Sequence, residues 1–268
     1  MPLFYCQFKS RVLELDTEVP VILPQAGKAP HPVLFLLHGL SDNETTWLRR
    51  TSIERYADEH GIAVVMPGVN RSFYLDETLG LRYGTYCREE VPERVRSWFP
   101  LSEKREDTFV AGLSMGGYGA FLQALTHPGR YAAAASLGGA LDLTFRRQRL
   151  RADWQAGGQP EKPPLLAMLD QLSERVDPRA YNLFHLADRV AARPKKDPRP
   201  RLYAWCGTED FLHQDNLNFR DHVSGLDLPF TYEEGPGDHS WGYWDTAIQR
   251  ALDWFDIPGD PSRKQPHA

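Results

Sequence analysis

The sequence predicts an α/β architecture: a mostly parallel central sheet with helices on both faces and an insertion before the late strands. Three observations carry this. Short apolar runs such as Val33–Leu37 and Ile62–Met66 have strand length and the continuous hydrophobicity of strands buried on both faces. Segments with helical spacing separate them, as parallel strands require. At the centre, Thr108–His127 (TFVAGLSMGGYGAFLQALTH) reads as a strand, a tight glycine-flanked turn and a helix.

The other elements follow in chain order. Phe4–Phe8 and Val12–Leu23 read as antiparallel edge strands, and Gln25–Pro32 as a turn. Trp47–His60 has helical character and is stopped by Gly61. Residues 68–86 are aromatic without periodicity and read as a loop near the mouth of a site. Glu90–Phe99 resumes as helix, with Pro92 tolerated in its first turn. Ala132–Ser136, Leu202–Cys206 and Phe230–Glu233 are the later strands; Leu212–Val223 and Gly242–Phe255 are the later helices. The tail from Ile257 is expected to fray.

Residues 141–200 differ in composition, with a net charge of +4 inside a chain of −5. Gly157-Gly158-Gln159-Pro160 and Pro163-Pro164 read as connections, Leu165–Arg175 as a helix, and Asp177-Pro178 as the capped start of a second, running to Val190. This stretch has too few apolar residues for its own core. It is therefore read as an insertion, a lid or pocket wall, within one domain spanning 1–268. Its charge is read as a solvated face, with a preference for anionic substrates as the alternative.

With 268 residues and 41% hydrophobic content, the chain is long enough for one large buried core. A net charge of −5 gives no nucleic-acid footprint, and no apolar run reaches the length of a membrane helix. Cys6, Cys87 and Cys206 are too few and too widely spaced for a disulfide framework or a zinc site. The N-terminus lacks the pattern of a signal peptide, so the expected setting is the cytoplasm. No cofactor or metal is expected, and homo-oligomerisation is left open.

Gly112-Leu113-Ser114-Met115-Gly116 fits G-x-S-x-G, a nucleophile elbow. A serine hydroxyl attacks only if a base takes its proton and the backbone holds the oxygen clear. A sharp strand-to-helix turn gives that exposure, and its tightness excludes side chains two residues to either side. Such a turn requires a later acid and then a histidine. Among His185, His213, His222, His239 and the tail's His267, His239 is the candidate base: it lies in a glycine-rich loop just past the last strand. Asp210, just past a strand end, is the candidate acid, with Glu209 and Asp238 as competitors. The backbone N–H groups of Met115 and Leu40 are the candidate oxyanion donors. His38 precedes the serine and is read as shaping its turn. Trp47, Phe73, Tyr74 and Trp241 are candidate pocket aromatics.

Six motifs then stand in order: LLHGLSDNETTWLRR, VVMPGVNRSFY, WFPLSEKRED, GLSMGGYGA, CGTEDFL and GDHSWGYW. Together, over Leu13 to Phe255, they resemble the tributyrin (short-chain acyl) esterases, within the esterase D and S-formylglutathione hydrolase group of α/β-hydrolases. The resemblance implies the α/β-hydrolase fold and metal-independent hydrolysis of short-chain carboxylic esters, acetyl esters included. It assigns the nucleophile to Ser114, the acid to Asp210, the base to His239 and the oxyanion donors to Leu40 and Met115. Leu113 and Tyr118 are more like the tributyrin esterases than the S-formylglutathione hydrolases, whose elbow usually has histidine at both positions. The 141–200 stretch lies outside the resemblance.

The expected activity is therefore a serine carboxylesterase acting on a small acetyl to butyryl ester. The alternatives are an S-formylglutathione or other thioester hydrolase, a feruloyl or carbohydrate O-acetyl esterase, and a catalytically retired binding protein on the same fold.

Overall fold

A computed structural model describes residues 1–76, 80–158 and 160–262 of the chain. Eight strands form one sheet: β1 (Leu3–Lys9), β2 (Asp16–Ile22), β3 (Val33–Leu37), β4 (Ala63–Val65), β5 (Thr108–Leu113), β6 (Ala133–Leu137), β7 (Arg201–Gly207) and β8 (Phe230–Gly235). Their spatial order is β1-β2-β4-β3-β5-β6-β7-β8. The β1/β2 and β2/β4 pairings are antiparallel, and all the others are parallel. The mostly parallel sheet is thus as expected, with two corrections at its start. Of the first two strands only β1 is an edge, because β2 also pairs with β4. And β2 begins at Asp16, since Ser10–Leu15 closes a turn: the Ser10 N–H donates to the Leu15 carbonyl at 2.9 Å.

Strand alternation splits the core into two layers. Val33, Phe35 and Leu37 of β3 point to one face and Leu34 and Leu36 to the other. The continuous apolar runs follow from this, because each face carries helices. One face is covered by α2 (Ile53–His60) and α11 (Trp241–Trp254). The other is covered by α4 (Val91–Trp98), α5 (Met115–Thr126), α9 (Leu183–Ala191) and α10 (His213–Val223).

Several helices depart from expectation. The segment expected as one helix from Trp47 to His60 is α1 (Thr46–Arg50) followed by α2, separated where Thr51 turns extended. Gly61 ends α2 with φ +64°, as its position requires. Helix begins earlier than Glu90: a short α3 (Tyr83–Thr85) runs through a π-helical turn (Tyr86–Glu90) into α4.

Between β6 and β7 lie α6 (Leu143–Gly157), α7 (Pro164–Arg175), α8 (Pro178–Tyr181) and α9. The long α6 gave little sequence signal because it buries only Leu143 and so has no apolar stripe. Asp177 caps α8 by accepting the Arg179 N–H, and Asn182 starts α9 anew. Leu169, Tyr181, Leu186 and Val190 of this stretch pack into the same apolar cluster as α5.

The tail is not frayed as far as it is described. Ile257 and Asp260 are buried, and His60 Nδ1 bonds Asp260 Oδ2 at 2.8 Å. Gln159 of the expected connection and His267 lie outside the described residues.

Candidate active site

β5 ends at Leu113, and α5 begins at Met115. Ser114 alone makes the turn, at φ +52° and ψ −117°, a conformation rare for any residue with a side chain. The turn closes because its flanks are bare. A Cβ on Gly112 would stand 2.5 Å from the Gly116 carbonyl, and one on Gly116 would collide with the Leu37 carbonyl. The Ser114 N–H donates to the Leu137 carbonyl at 3.1 Å, tying the turn to β6.

Two loops beyond neighbouring strand ends converge on Ser114, as the carboxyl ends of parallel strands favour. Asp210 lies past β7 and His239 past β8. The His239 Nδ1–H donates to Asp210 at 2.7 Å (Oδ2) and 2.9 Å (Oδ1). His239 Nε2 then faces the Ser114 hydroxyl at 3.0 Å. Asp210 is buried, and its Oδ1 also accepts the Leu212 N–H at 2.8 Å, which fixes the carboxylate plane. This pattern leaves Nε2 free to accept a proton and gives the protonated ring a carboxylate partner.

The competing residues are placed elsewhere. His213 bonds Glu234 at 3.0 Å, His222 bonds Asp188 at 2.8 Å, and His185 is exposed. Asp238 is exposed. Glu209 straps the two loops together: its Oε2 accepts the Gly237 N–H at 2.5 Å, and its own N–H donates to the Gly237 carbonyl at 3.0 Å. The bond its carboxylate accepts from the Gly237 N–H holds the Glu209 carboxyl below its ordinary range. His38 is buried and pins the strand-end turn, donating from Nδ1 to the Gly39 carbonyl (2.7 Å) and accepting the Val69 N–H at Nε2 (3.0 Å). Burial pushes its imidazole down, which keeps it neutral in that role.

A cavity of about 440 Å³ opens over Ser114 and His239. Leu40 and Met115 both line it. Met115 is the first residue of α5, where the N–H has no acceptor within the helix. The cavity walls are largely apolar: Phe73 and Trp241, with Leu143, Leu165 and Leu169 from the 141–200 stretch. Two of the four expected aromatics stand behind this wall. Tyr74 is fully buried, with its hydroxyl donating to the His38 carbonyl at 2.9 Å. Trp47 donates from Nε1 to the Leu37 carbonyl at 3.0 Å and packs edge-on against Trp241.

Sequence reasoning missed three neighbours of the site. Phe211 lies over the His239 ring at 4.4 Å, and Trp244 meets it at right angles at 4.7 Å. The Arg146 guanidinium lies 5.4 Å from the Phe211 ring and pairs with buried Asp215 at 2.6 Å. Phe211 and Trp244 fall inside the CGTEDFL and GDHSWGYW motifs, so their positions carried a signal. Arg146 did not, because α6 lacks a periodic pattern. Among the described residues, no three His, Cys, Asp or Glu side chains gather to hold a metal ion. No helix there is long and apolar enough to cross a membrane.

The sheet, the elbow and the proteins this chain resembles define a serine hydrolase on an α/β fold. The chain belongs to the Esterase family, whose sequence profile matches residues 10–255, and it is a carboxylic ester hydrolase. It is 28% identical over 276 residues to an acetyl esterase of Caldicellulosiruptor saccharolyticus, covering 97% of this chain and 100% of that one. Two solved structures from Staphylococcus aureus are each 36% identical. The fluorophosphonate-binding serine hydrolase FphF, substrate bound, superposes with a TM-score of 0.82 over 95% of this chain and 98% of the other. The S-formylglutathione hydrolase FrmB, as apoenzyme, does so with 0.80 over 95% and 99%.

Proposed function

We propose that the chain hydrolyses short-chain acyl esters through a covalent acyl-serine, with Ser114 as nucleophile, His239 as base and Asp210 as its orienting acid. The observation that carries this is the continuous hydrogen-bonded line from Asp210 through both ring nitrogens of His239 to Ser114 Oγ. His239 Nε2 takes the hydroxyl proton as Oγ attacks the ester carbonyl carbon. The N–H groups of Met115 and Leu40 receive the tetrahedral oxyanion. As the intermediate collapses, the C–O bond to the alcohol breaks and His239 returns the proton to that oxygen. Water then adds to the acyl-serine by the same route and releases the acid.

The cavity of about 440 Å³ is lined largely by apolar side chains, part of them from the 141–200 helices, which suits the hydrocarbon of an acyl group. The acetyl esterase relative supports acetyl to butyryl esters as substrates. A series of p-nitrophenyl esters of increasing acyl length tests this, with Ser114→Ala as control. We expect kcat/KM to fall steeply beyond about four to six carbons, because acyl fit limits it. Equal activity on long acyl chains would overturn the short-chain reading.

A thioester is the second reading, favoured by the likeness to FrmB. Parallel kcat/KM measurements on acetyl esters and S-formylglutathione separate the two: a large preference for the thioester replaces the first reading.

A further inference from the structure

A second cavity, of about 610 Å³, lies at the opposite end of the sheet from Ser114. Its walls are built where α4 and α5 end and where the chain enters β5. Arg96, Arg105, Arg130, Arg193 and His127 line it, together with the carboxylate of Glu103. The elbow and this cavity mark the two ends of α5, so about 18 Å of helix separates them at 1.5 Å per residue. Four guanidiniums around one cavity stand out in a chain whose net charge is −5.

These arginines are held mainly by neutral oxygens. Arg96 donates to the Ser102 carbonyl and to Thr108 Oγ1, both at 3.0 Å. Arg105 donates to the Pro128 carbonyl at 3.1 Å and the Arg199 carbonyl at 2.8 Å. Arg130 donates to the Arg88 carbonyl. Arg193 reaches a carboxylate, Asp197, only at 3.7 Å. These bonds fix the side chains while leaving further N–H donors on each five-donor fork. Burial and then Arg130 and Arg88 push the His127 imidazole down, and burial pushes the Arg96 and Arg105 guanidiniums down. His127 Nδ1 and Thr126 Oγ1 are also buried without a hydrogen-bond partner among the described residues. Glu103 on the cavity and Asp197 beside Arg193 offset only part of four guanidiniums. Partly buried like charges disfavour one another, and an anion between them relieves that cost.

We propose that this cavity is a binding site for a phosphate-bearing small molecule, separate from the ester site. Arginine forks match the paired oxygens of a phosphate, and the cavity has the size of a small-ligand pocket. The competing account is that the arginines only tie down backbone carbonyls around the end of α5.

Calorimetric titration with pyrophosphate and with inorganic phosphate distinguishes the two, at constant ionic strength set by sodium chloride. We expect one site per chain. In Arg130→Gln/Arg193→Gln we expect at least about tenfold weaker binding, the scale of losing charge-assisted bonds. Turnover of p-nitrophenyl acetate serves as the folding check, and Arg193→Gln alone, on a side chain 40% exposed, keeps the test valid if the double variant fails to fold. Binding no stronger than that of chloride, or phosphate binding unchanged in folded Arg130→Gln/Arg193→Gln, would overturn the site. If only Arg193→Gln folds, unchanged binding there overturns it equally.

Discussion

Gly116 lies against the carbonyl of Leu37, so close that any side chain on it would collide with that oxygen. The contact presses the start of α5 onto the end of β3, and Ser114 turns between them. Gly116→Ala must push the two apart. We expect a loss of about 2 kcal/mol or more in chemical denaturation, and a larger proportional loss of esterase activity. Gly242→Ala is the control: nothing lies within 4 Å of a Cβ there, so stability should stay within about 1 kcal/mol of the parent.

Asp210 and Glu209 are adjacent carboxylates with different work. Asp210 receives the His239 Nδ1–H, whereas Glu209 bonds backbone of the loop that carries His239. Asp210→Asn keeps the shape but presents a donor to Nδ1 and favours the wrong tautomer. We expect kcat to fall on the order of 10⁴-fold. Glu209→Gln keeps an acceptor for the Gly237 N–H and should cost less than about tenfold, the scale of one weakened hydrogen bond. Steady-state kinetics on p-nitrophenyl acetate reads both; equal losses would contradict this division of roles.

The difference between these two carboxylates marks what could be read from the chain alone. The elbow was legible because its chemistry needs glycines at fixed offsets, and Asp210 and His239 because they follow strands in a fixed order. The role of Glu209 was not, since its partner Gly237 is a backbone group 28 residues away. Tyr74 and Trp47 were placed at the pocket by their sequence neighbourhood, yet their polar atoms find buried carbonyls and draw the rings inward. Continuous apolar runs marked the central strands; α6 stayed hidden because a helix with one buried side chain has no period to detect.

Asp215 supplies a pH prediction. Burial pushes its carboxyl up to about 6 from an ordinary 3.8, against the pull of Arg146. Between these values the folded chain keeps a proton that the unfolded chain releases. Stability from this group therefore falls as pH rises from about 4 to 6, by roughly 3 kcal/mol in all. Other carboxylates give the opposite slope, so the informative quantity is the difference between parent and Asp215→Asn. Urea denaturation at pH 4.5 and 7 should show Asp215→Asn gaining relative to the parent at the higher pH. A constant difference would contradict the shift.

The tail supplies the last prediction. Asp260 joins residues beyond α11 to α2 through His60, with Ser262 adding its N–H at 2.8 Å and its hydroxyl at 2.7 Å. Burial by itself would raise the Asp260 carboxyl, but the bonds from His60 and Ser262 hold it below its ordinary value. A depressed folded pKa stabilises above the unfolded value and is lost as pH falls through the folded one. The clasp therefore acts in full above about pH 4 and weakens under acid. Asp260→Ala leaves His60 buried without this partner and should cost about 1–3 kcal/mol at pH 7, with a smaller cost at pH 3. The clasp lies on the face of α2 and α11, away from the cavity, so kcat/KM on p-nitrophenyl acetate should hold at 25 °C while the melting temperature falls. An unchanged melting temperature at pH 7 would mean that the Asp260 clasp contributes nothing to stability.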